Sequence, residues 1–578
     1  AVGLQKFDFL GLKTLTVINN ALIQINDFRN SINLEPINLD DLDLDDKGVF
    51  ALLQKGITTA VFQMESRGMR EYLIKLKPNN FEDIIAMIAL YRPGPLEMKM
   101  VDTYIDRKNG IEKIDYSKDN EVEKILKSTY GVIVYQEQVM QLAQEFSGFT
   151  LGQADILRKA MGKKIPEVME SQRESFIEGA QNKNKVKRVA EDLWDQIETF
   201  AGYGFNKSHS AAYALISYQT AWLKSHYPSQ FMASALSSEL DDTDKIKILI
   251  DDSHSLGLKI NPPDINKSSK NFISLNEENI LFGLGAIKGV GDSAIENIIE
   301  ERNKGDFKSL KDFCFRVDLS RVDKRCLEPL IKSGAMDIFS VDRFKLLDQM
   351  EDILKLARQE LENLENGQTD MFGVQEFSLQ EKKELDEVYN SNETSKLEFE
   401  SLGYHLQHHP VDENLWELEQ ISPIKIKDLV LGKNHQRCCG VIISHNRIQT
   451  RRGAIVFATL DDNSDRIELT INQEVLDQSN LSFNGHEIII ADGEVIEESM
   501  EKIKQFGLAK KMRVAKLYTL EEARIKFARK LLINVSENQP RKIEKLIENL
   551  QNFSLEKTSD GCPVELNYHT KDGKVGMD

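Results

Sequence analysis

A lysine and an aspartate two positions apart are the first residues whose types and spacing could do chemistry. In the apolar stretch LQKFDFLGL (4–12), a β-strand would place Lys6 and Asp8 on one face and Phe7 and Phe9 on the other. Carboxylate oxygens are preferred ligands of Mg²⁺, which usually also binds substrate phosphates, and Lys6 would neutralise such a phosphate. The alternative is a surface ion pair on an edge strand.

The basic cluster in LRKAMGKK (157–164) is a second candidate. Arg158, Lys159, Lys163 and Lys164 follow one another there with no acidic residue between them. A helix would place Lys159 and Lys163 on one face, where their repulsion costs stability unless a polyanion offsets it. The alternative is a solvated helix C-terminus, where lysines interact favourably with the helix dipole.

The stretch FAGYGFNKSHSAAYALISYQTAWLK (200–224) predicts a polar turn followed by an apolar helix. Tyr203 or Phe205 could stack on a base. The residues that could hydrogen-bond a nucleotide or a phosphate are Asn206, Lys207, Ser208 and His209. The alternative is a well-capped helix start, with Ser208 or Ser210 as the N-cap.

The stretch AIKGVGDSAIENII (286–299) has the pattern of a helix–hairpin–helix. Gly289 and Gly291 are expected to permit the tight turn and to let backbone N–H groups approach a phosphate. Together with Lys288 and Val290 they form the predicted contact with the DNA backbone, which would not read sequence. The alternative is an ordinary αα-hairpin.

The peptide QTDMF (368–372) follows a predicted long acidic helix. Its adjacent apolar residues Met371 and Phe372 suit insertion into a groove of a partner protein. A loop that folds back on its own core is the alternative.

From about residue 425 the hydrophobic pattern has a period of two, which is typical of a small β-barrel. Arg447, Arg451 and Arg452 lie near a turn of this region and suit single-stranded nucleic acid. A purely structural barrel is the alternative.

The composition is that of a globular protein with several domains. The chain has 578 residues, 41% of them hydrophobic, and a net charge of −19, which argues against a general nucleic-acid coat protein but not against local basic surfaces. No apolar run has the length of a membrane span. The scattered cysteines form no CxxC pair, which argues against a zinc ribbon and favours a reducing, cytoplasmic compartment. The start AVGLQKFDF reads as neither a signal peptide nor a natural beginning.

One family contains these segments in the same order. KFDFLGL, AVFQMESRGM (60–69), YRPGPL (91–96), YGVIVYQEQVM (130–140), LRKAMGKK and FAGYGFNKSHSAAYA resemble motifs of the α subunit of bacterial DNA polymerase III, the C-family replicative polymerase. The resemblance covers almost the whole chain. It implies template-directed DNA synthesis on a primer 3′-hydroxyl, by a chain that starts at the last palm strand and is inactive by itself.

The resemblance also implies roles for the candidate residues. Asp8 would be the third palm aspartate and a ligand of two Mg²⁺ ions, whose other aspartates would lie upstream, and Lys6 would face the triphosphate. Arg158 and Lys159 match a basic pair thought to contact the triphosphate, although the second is commonly arginine, whose bidentate fork lysine lacks. The turn 203–209 is expected near the nascent base pair.

The implied fold is multidomain α+β, with α-rich fingers, a helix–hairpin–helix module, a β-barrel of the OB-fold type and a truncated α/β C-terminal domain. The expected order is the end of the palm (1–13), fingers (14–260), hairpin and clamp-binding domain (261–374), linker (375–424), OB-fold (425–517) and the start of the τ-binding domain (518–578).

The implied partners are primer–template DNA, deoxynucleoside triphosphates, the β sliding clamp, the clamp-loader τ subunit and a proofreading exonuclease, with no membrane. The clamp peptide would use Gln368, Asp370, Met371 and Phe372.

Two other functions fit parts of the sequence. A non-catalytic DNA-binding scaffold would need the hairpin and the barrel but not Asp8. A ligase of the NAD type would need a Lys-x-Asp-Gly nucleophile, and TKDGK (570–574) lacks its spacer residue.

Overall fold

The structure is a computed structural model, and its described residues fall in ranges separated by gaps. They are 11–114, 116, 119–163, 166–200, 204–365, 391–407, 409–433, 435–450, 453–479, 487–497, 510–527, 529–536, 564–570 and 573–577. Contacts divide the chain into two units, the first within 1–375 and 401–403, the second within 376–400 and 404–578.

The first part of the first unit is helical, as its hydrophobic spacing predicts. Its helices are α1 Lys13–Ser31, α2 Lys47–Gln54, α3 Arg67–Leu76, α4 Phe81–Leu90, α5 Pro93–Glu97, α6 Met100–Lys108, α7 Asn120–Leu126, α8 Gln136–Glu145, α9 Leu151–Lys163, α10 Pro166–Asn182, α11 Lys187–Phe200, α12 Lys207–His226, α13 Pro228–Ser237 and α14 Thr243–Ser255. These helices enclose two hydrophobic cores. One lies among α2, α3, α4, α6 and α12, and the other among α7 to α11.

The long helix α12 lies at the centre of the first core. Its Ala214, Tyr218 and Ala221 are fully buried there, because residues three or four positions apart share one face of a helix. The Tyr218 hydroxyl receives a hydrogen bond from the Asp46 N–H at 2.9 Å and donates one to the Asp43 carbonyl at 2.7 Å. The position of α12 is therefore fixed both by packing and by polar contacts.

The second part of the first unit combines a small sheet with four helices. The strands β1 Lys259–Asn261, β2 Ile273–Ser274 and β3 Asn279–Leu281 pair in the order β1-β3-β2. The helices are α15 Asp292–Arg302, α16 Leu310–Arg316, α17 Lys324–Lys332 and α18 Arg343–Glu365. The last of them is the predicted long acidic helix.

The segment predicted as a linker, 375–424, contains helices in its described part. These are α19 Ser391–Leu402, α20 Pro410–Glu413 and α21 Leu415–Ile421. Leu397, Leu402, Tyr404 and Leu418 are buried. The prediction of a linker over 391–421 was therefore wrong, because these few apolar residues among many polar ones are enough to form packed helices.

The second unit contains a closed barrel of five strands. The strands β4 Gln436–Thr450, β5 Gly453–Asp461, β6 Arg466–Asn472, β7 Ile488–Glu497 and β8 Lys510–Thr519 follow the order β4-β5-β6-β8-β7, and the helix α22 Gln473–Asp477 follows β6. Inward residues alternate as the pattern predicts. Val456, Ala458 and Leu460 of β5 are buried, as are Ile467 and Leu469 of β6.

The described part of the chain after the barrel mixes helix and strand. It contains α23 Leu520–Phe527, β9 Leu531–Ser536, β10 Val564–Thr570 and β11 Gly573–Met577. The three strands pair in the order β11-β10-β9, with β9 parallel and β11 antiparallel to β10. None of the helices in the described ranges is long and apolar enough to cross a membrane.

Candidate functional site

The candidate turn ends at the first residue of α12, and Asn206 caps that helix. The Asn206 Oδ1 accepts a hydrogen bond from the His209 N–H at 2.9 Å. The prediction that Ser208 or Ser210 is the N-cap was therefore wrong. Ser208 already lies inside the helix and is exposed, while Ser210 is buried. An asparagine is among the preferred N-cap residues, so the capped-helix interpretation holds with a different residue.

Glu137, in the first turn of α8, binds the same turn from the other side. Its carboxylate accepts hydrogen bonds from the Asn206 Nδ2 at 2.8 Å and from the Lys207 N–H at 3.0 and 3.1 Å. The neighbouring Gln136 N–H donates to the Phe205 carbonyl at 2.9 Å. An internal carboxylate thus lies at the positive end of α12, where an external anion would otherwise be favoured.

Lys207 is directed away from the helix axis towards two other elements. Its Nζ lies 3.0 Å from the Glu82 Oε2 in the first turn of α4 and 5.4 Å from the centre of the Tyr135 ring. Burial and the carboxylates of Glu82 and Glu137 raise the pKa of the Tyr135 phenol. The Lys207 ammonium remains partly exposed, so a ligand phosphate could compete with Glu82 for it.

Aromatic rings form a row along the start of α12. The His209 ring lies 5.4 Å from Phe205 and 4.3 Å from Tyr213, and Tyr213 lies 5.3 Å from Phe62. The Arg92 guanidinium lies over the Phe205 ring at 3.3 Å, and burial lowers the pKa of Arg92. Aromatic faces beside cations suit stacking of a base next to its charged backbone.

This arrangement brings together segments that are far apart in the sequence. Phe62 belongs to AVFQMESRGM, Arg92 to YRPGPL, Tyr135 and Glu137 to YGVIVYQEQVM, and His209 to FAGYGFNKSHSAAYA. We call the residues around the N-terminus of α12 the α12 site. Its members are Phe62, Glu82, Arg92, Tyr135, Glu137, Phe205, Asn206, Lys207, His209 and Tyr213. Phe62, Glu82, Arg92, Glu137 and Tyr213 were not among the predicted site residues, although all except Glu82 lie in motifs that carry the resemblance.

The predicted basic pair lies on α9, and an acidic residue one turn upstream compensates it. Asp155 accepts from the Arg158 Nε at 3.0 Å and lies 2.7 Å from the Lys159 Nζ. Hydrogen bonds from Lys159 and Arg158 lower the pKa of Asp155. An internal acid thus offsets part of the repulsion within this cluster, since Asp155 lies just before the segment in which no acid occurs. The side chain of Lys163 lies outside the described residues.

Several predicted site residues also lie outside the described residues. They are Lys6, Asp8, Tyr203, Gln368, Asp370, Met371, Phe372, Arg451 and Arg452. In the described ranges, no group of three or more His, Cys, Asp or Glu side chains could hold a metal ion. Both cysteines Cys314 and Cys326 are buried, and burial raises the pKa of their thiols to about 12, which disfavours the reactive thiolate at neutral pH.

The predicted hairpin lies between a short 3-10 turn and α15. Gly289 has a φ of +86°, which favours glycine, whereas Gly291 has an ordinary φ of −82° as the residue before α15. Of the two glycines, Gly289 is therefore the one whose backbone conformation favours glycine. Lys288 is exposed, but Val290 is buried and its N–H donates to the Ile287 carbonyl at 3.2 Å. The Val290 N–H is thus engaged within the turn, and its contact with a phosphate stays a prediction.

Comparisons with known families agree with both regions. A family model described as the bacterial DNA polymerase III alpha subunit finger domain matches residues 14–184. A helix-hairpin-helix motif matches residues 257–346. Three residues of the α12 site, Phe62, Arg92 and Glu137, lie within the first of these matches.

Similar proteins extend the match to the whole chain. A protein named DNA polymerase III subunit alpha from Pasteurella multocida is 46% identical over 93% of this chain, and the one from Escherichia coli (strain K12) is 42% identical over 100% of it. The chain is homologous to part of the bacterial DNA polymerase III α subunits. It spans about half the length of these relatives, 47% and 50% respectively.

Of the three arginines predicted to bind nucleic acid at the barrel, Arg447 lies among the described residues. Arg447 lies in the exposed second half of β4, opposite Val456 of β5. Its side chain is exposed, while the inward residues of the neighbouring strands fill the barrel. Arg447 is therefore accessible to a ligand.

Replacing Asn206 by alanine is expected to destabilise the chain by about 1–2 kcal/mol, since the N-cap hydrogen bond is lost. Urea unfolding of the chain measures this change. Ser208→Ala is the matched control, because Ser208 is exposed within the helix and is not the cap. Equal destabilisation by both variants would contradict the assignment of the cap.

Proposed function

We propose that the full-length subunit containing this chain synthesises DNA on a template by adding deoxynucleotides to a primer 3′-hydroxyl. The convergence of distant family motifs on the α12 site is the observation that carries this proposal. A binding scaffold for duplex DNA has no need of such a site, whereas a polymerase must hold a nucleotide against the primer end. Relatives at 42–46% identity carry the name of a DNA polymerase subunit.

The α12 site would hold the incoming nucleotide and the nascent base pair. His209 and the neighbouring rings offer flat faces for a base, and Lys207 offers a positive charge within reach of Glu82. Arg158 and Lys159 would contact the triphosphate from α9, and Lys163 would extend that basic surface. Asn206 would act by fixing the turn, since both polar atoms of its side chain are engaged.

Divalent metal ions form part of this proposal through Asp8. The described side chains do not fit a site for Mg²⁺, since they offer no cluster of metal-binding groups. Asp8 would be one of the carboxylates that hold the two ions, and Lys6 would lie beside the triphosphate. The residues of the α12 site would therefore bind and orient substrates and would leave the metals to other ligands.

Two further regions would bind DNA. The hairpin residues Lys288, Gly289, Val290 and Gly291 would contact the duplex backbone, because the exposed lysine and glycines suit the approach of a phosphate. The barrel would be an OB-fold that binds template single strand, with Arg447 on its exposed strand arm and with Arg451 and Arg452 next to it.

Protein partners would attach outside these regions. The β sliding clamp would bind the peptide with Gln368, Asp370, Met371 and Phe372, and the clamp-loader τ subunit would bind the part after 518. A proofreading exonuclease would bind a region of the subunit upstream of this chain. The whole assembly would act in the cytoplasm.

The test of this function is primer extension by the full-length subunit, with Arg158→Ala as the informative variant. Loss of a hydrogen bond to a charged group should raise the KM for nucleotide roughly 10- to 100-fold, with little change in primer–template affinity. Nucleotide titrations of the initial rate measure the KM.

Arg188→Ala is the matched control for this variant. Arg188 is also a helical arginine with an aspartate partner, Asp192, but it lies on α11 with 88% of its side chain exposed. The KM of the Arg188→Ala variant for nucleotide should equal that of the wild type. Equal effects of the two variants, or no extension by the wild-type subunit, would refute the proposed function.

A further inference from the structure

The loop 58–65 between α2 and α3 has an unusual backbone. Ala60 and Gln63 have φ values of +61° and +60°, although neither is glycine. Left-handed conformations are unfavourable for such residues and persist only where the surrounding structure maintains them. Two of them within four positions indicate that the shape of this loop is under strong constraint.

Three polar residues on one face of α12 provide that constraint. The Ser217 hydroxyl donates to the Phe62 carbonyl at 2.7 Å, and the Thr220 Oγ1 accepts from the Phe62 N–H at 3.1 Å. The Lys224 Nζ donates to the Thr59 carbonyl at 2.8 Å. All three side chains are buried, so these hydrogen bonds form without competition from water.

The loop itself adds further hydrogen bonds. The Thr58 hydroxyl donates to the Met64 carbonyl at 2.6 Å, and the Arg70 guanidinium donates to the Thr59 hydroxyl at 2.8 Å. Phe62 then directs its ring to Tyr213 of the α12 site, at 5.3 Å. The loop is therefore a rigid neighbour of the α12 site.

Gln63 and Glu65 are the exposed residues of this loop, and Gln63 is the uncharged one. Its side chain is exposed, and among the described residues its amide has no hydrogen-bond partner. It follows directly after Phe62, which contacts the aromatic row. A glutamine amide has both donors and an acceptor and no charge, which suits the edge of a base or a sugar hydroxyl better than a phosphate.

We propose that Gln63 is a specificity-determining residue of the α12 site and that its amide hydrogen-bonds the nascent base pair. The buried groups of Ser217, Thr220 and Lys224 hold the backbone of the strained loop, so the point from which the Gln63 side chain extends is fixed. The inference rests on the proposed function, because it requires a nucleotide at the α12 site.

Ala60 gives a matched control, since it has the same strained φ but no functional group. Gln63→Gly and Ala60→Gly both relieve a positive φ, so neither should lower the unfolding midpoint. Gln63→Gly alone should lower the ratio of kcat/KM for a correct nucleotide to that for a mispaired one, by roughly 3- to 10-fold. Gln63→Asn keeps an amide and tolerates this backbone, so it should restore part of the ratio.

The measurement is single-nucleotide extension by the full-length subunit with correct and mispaired nucleotides, together with thermal unfolding of each variant. If Gln63→Gly and Ala60→Gly discriminate equally well between correct and mispaired nucleotides, Gln63 has no role in specificity. The inference is then wrong, while the polymerase function stands. If the wild-type subunit does not extend primers, the proposed function fails, and the inference fails with it. Loss of folding in Gln63→Gly would also overturn it, since the loop would then need this side chain for stability.

Discussion

Replacement of Asp8 by asparagine is expected to lower primer extension by the full-length subunit by about three orders of magnitude or more. Asparagine keeps the shape of the side chain but removes the negative charge by which we propose that Asp8 binds Mg²⁺. Stabilisation by a bound metal is worth several kcal/mol, and ~1.36 kcal/mol corresponds to a tenfold change in rate.

Primer–template binding separates this effect from a loss of folding. The asparagine variant should bind primer–template as tightly as the wild type, measured by fluorescence anisotropy at fixed salt. Asp45→Asn is a matched control, because Asp45 is an exposed aspartate in the turn before α2. Normal extension by the Asp8 variant would contradict a catalytic role of Asp8 and would leave Lys6 and Asp8 as a surface ion pair.

Replacement of Lys224 by methionine is expected to destabilise the chain by about 3–5 kcal/mol, the usual cost of removing one partner of a buried ion pair. The Lys224 Nζ lies 2.7 Å from the Asp252 Oδ2, and its side chain is 0% exposed. Burial lowers the pKa of Lys224 despite the opposing effect of Asp252. The cost arises because the Asp252 carboxylate is left without its cation.

Urea unfolding of two further variants tests this explanation. In Lys224→Met combined with Asp252→Asn the orphaned charge is absent, so part of the lost stability should return. Lys187→Met removes an exposed lysine 3.7 Å from Glu191 and should change stability by less than ~1 kcal/mol. If Lys224→Met costs no more than Lys187→Met, Lys224 is not essential to the fold.

The elements of the fold could be predicted where one periodicity dominates. The helix α1 and the strand β5 follow from their apolar spacing, and α18 follows from its length. Even in α1 the pattern does not fix every residue, since Leu15 is 50% exposed while Ala21, which is a weaker signal, is fully buried. Burial depends on which neighbouring helix covers each position, and the sequence does not contain that information locally.

The sequence RPGP (92–95), whose prolines and glycine are typical of a turn, illustrates a different limit. Pro93 is the first residue of α5, because a proline at the first helical position loses no hydrogen bond. The same four letters are compatible with a turn. Only the packing of Pro95 into the interior decides between them.

The composition of the candidate site was predicted in part. His209 and Lys207 were identified from residue type, but Glu82 and Glu137 were not, since their partners are 125 and 70 positions away in this numbering. Pairings at that distance follow from the tertiary fold. The order of the family motifs indicated that these segments belong to one protein, and the structure adds which of their side chains meet.

Photo-crosslinking of a nucleotide tests the central claim most directly. The full-length subunit would be bound to a chain-terminated primer on a template thymine, incubated with 8-azido-dATP, irradiated, digested and analysed by mass spectrometry. We predict labels in the peptides around 58–66 and 203–213, with loss of labelling when unlabelled dATP is in excess. Labels confined to the hairpin at 287–299 or to the barrel strands, with none near α12, would contradict the assignment of the α12 site as the nucleotide site.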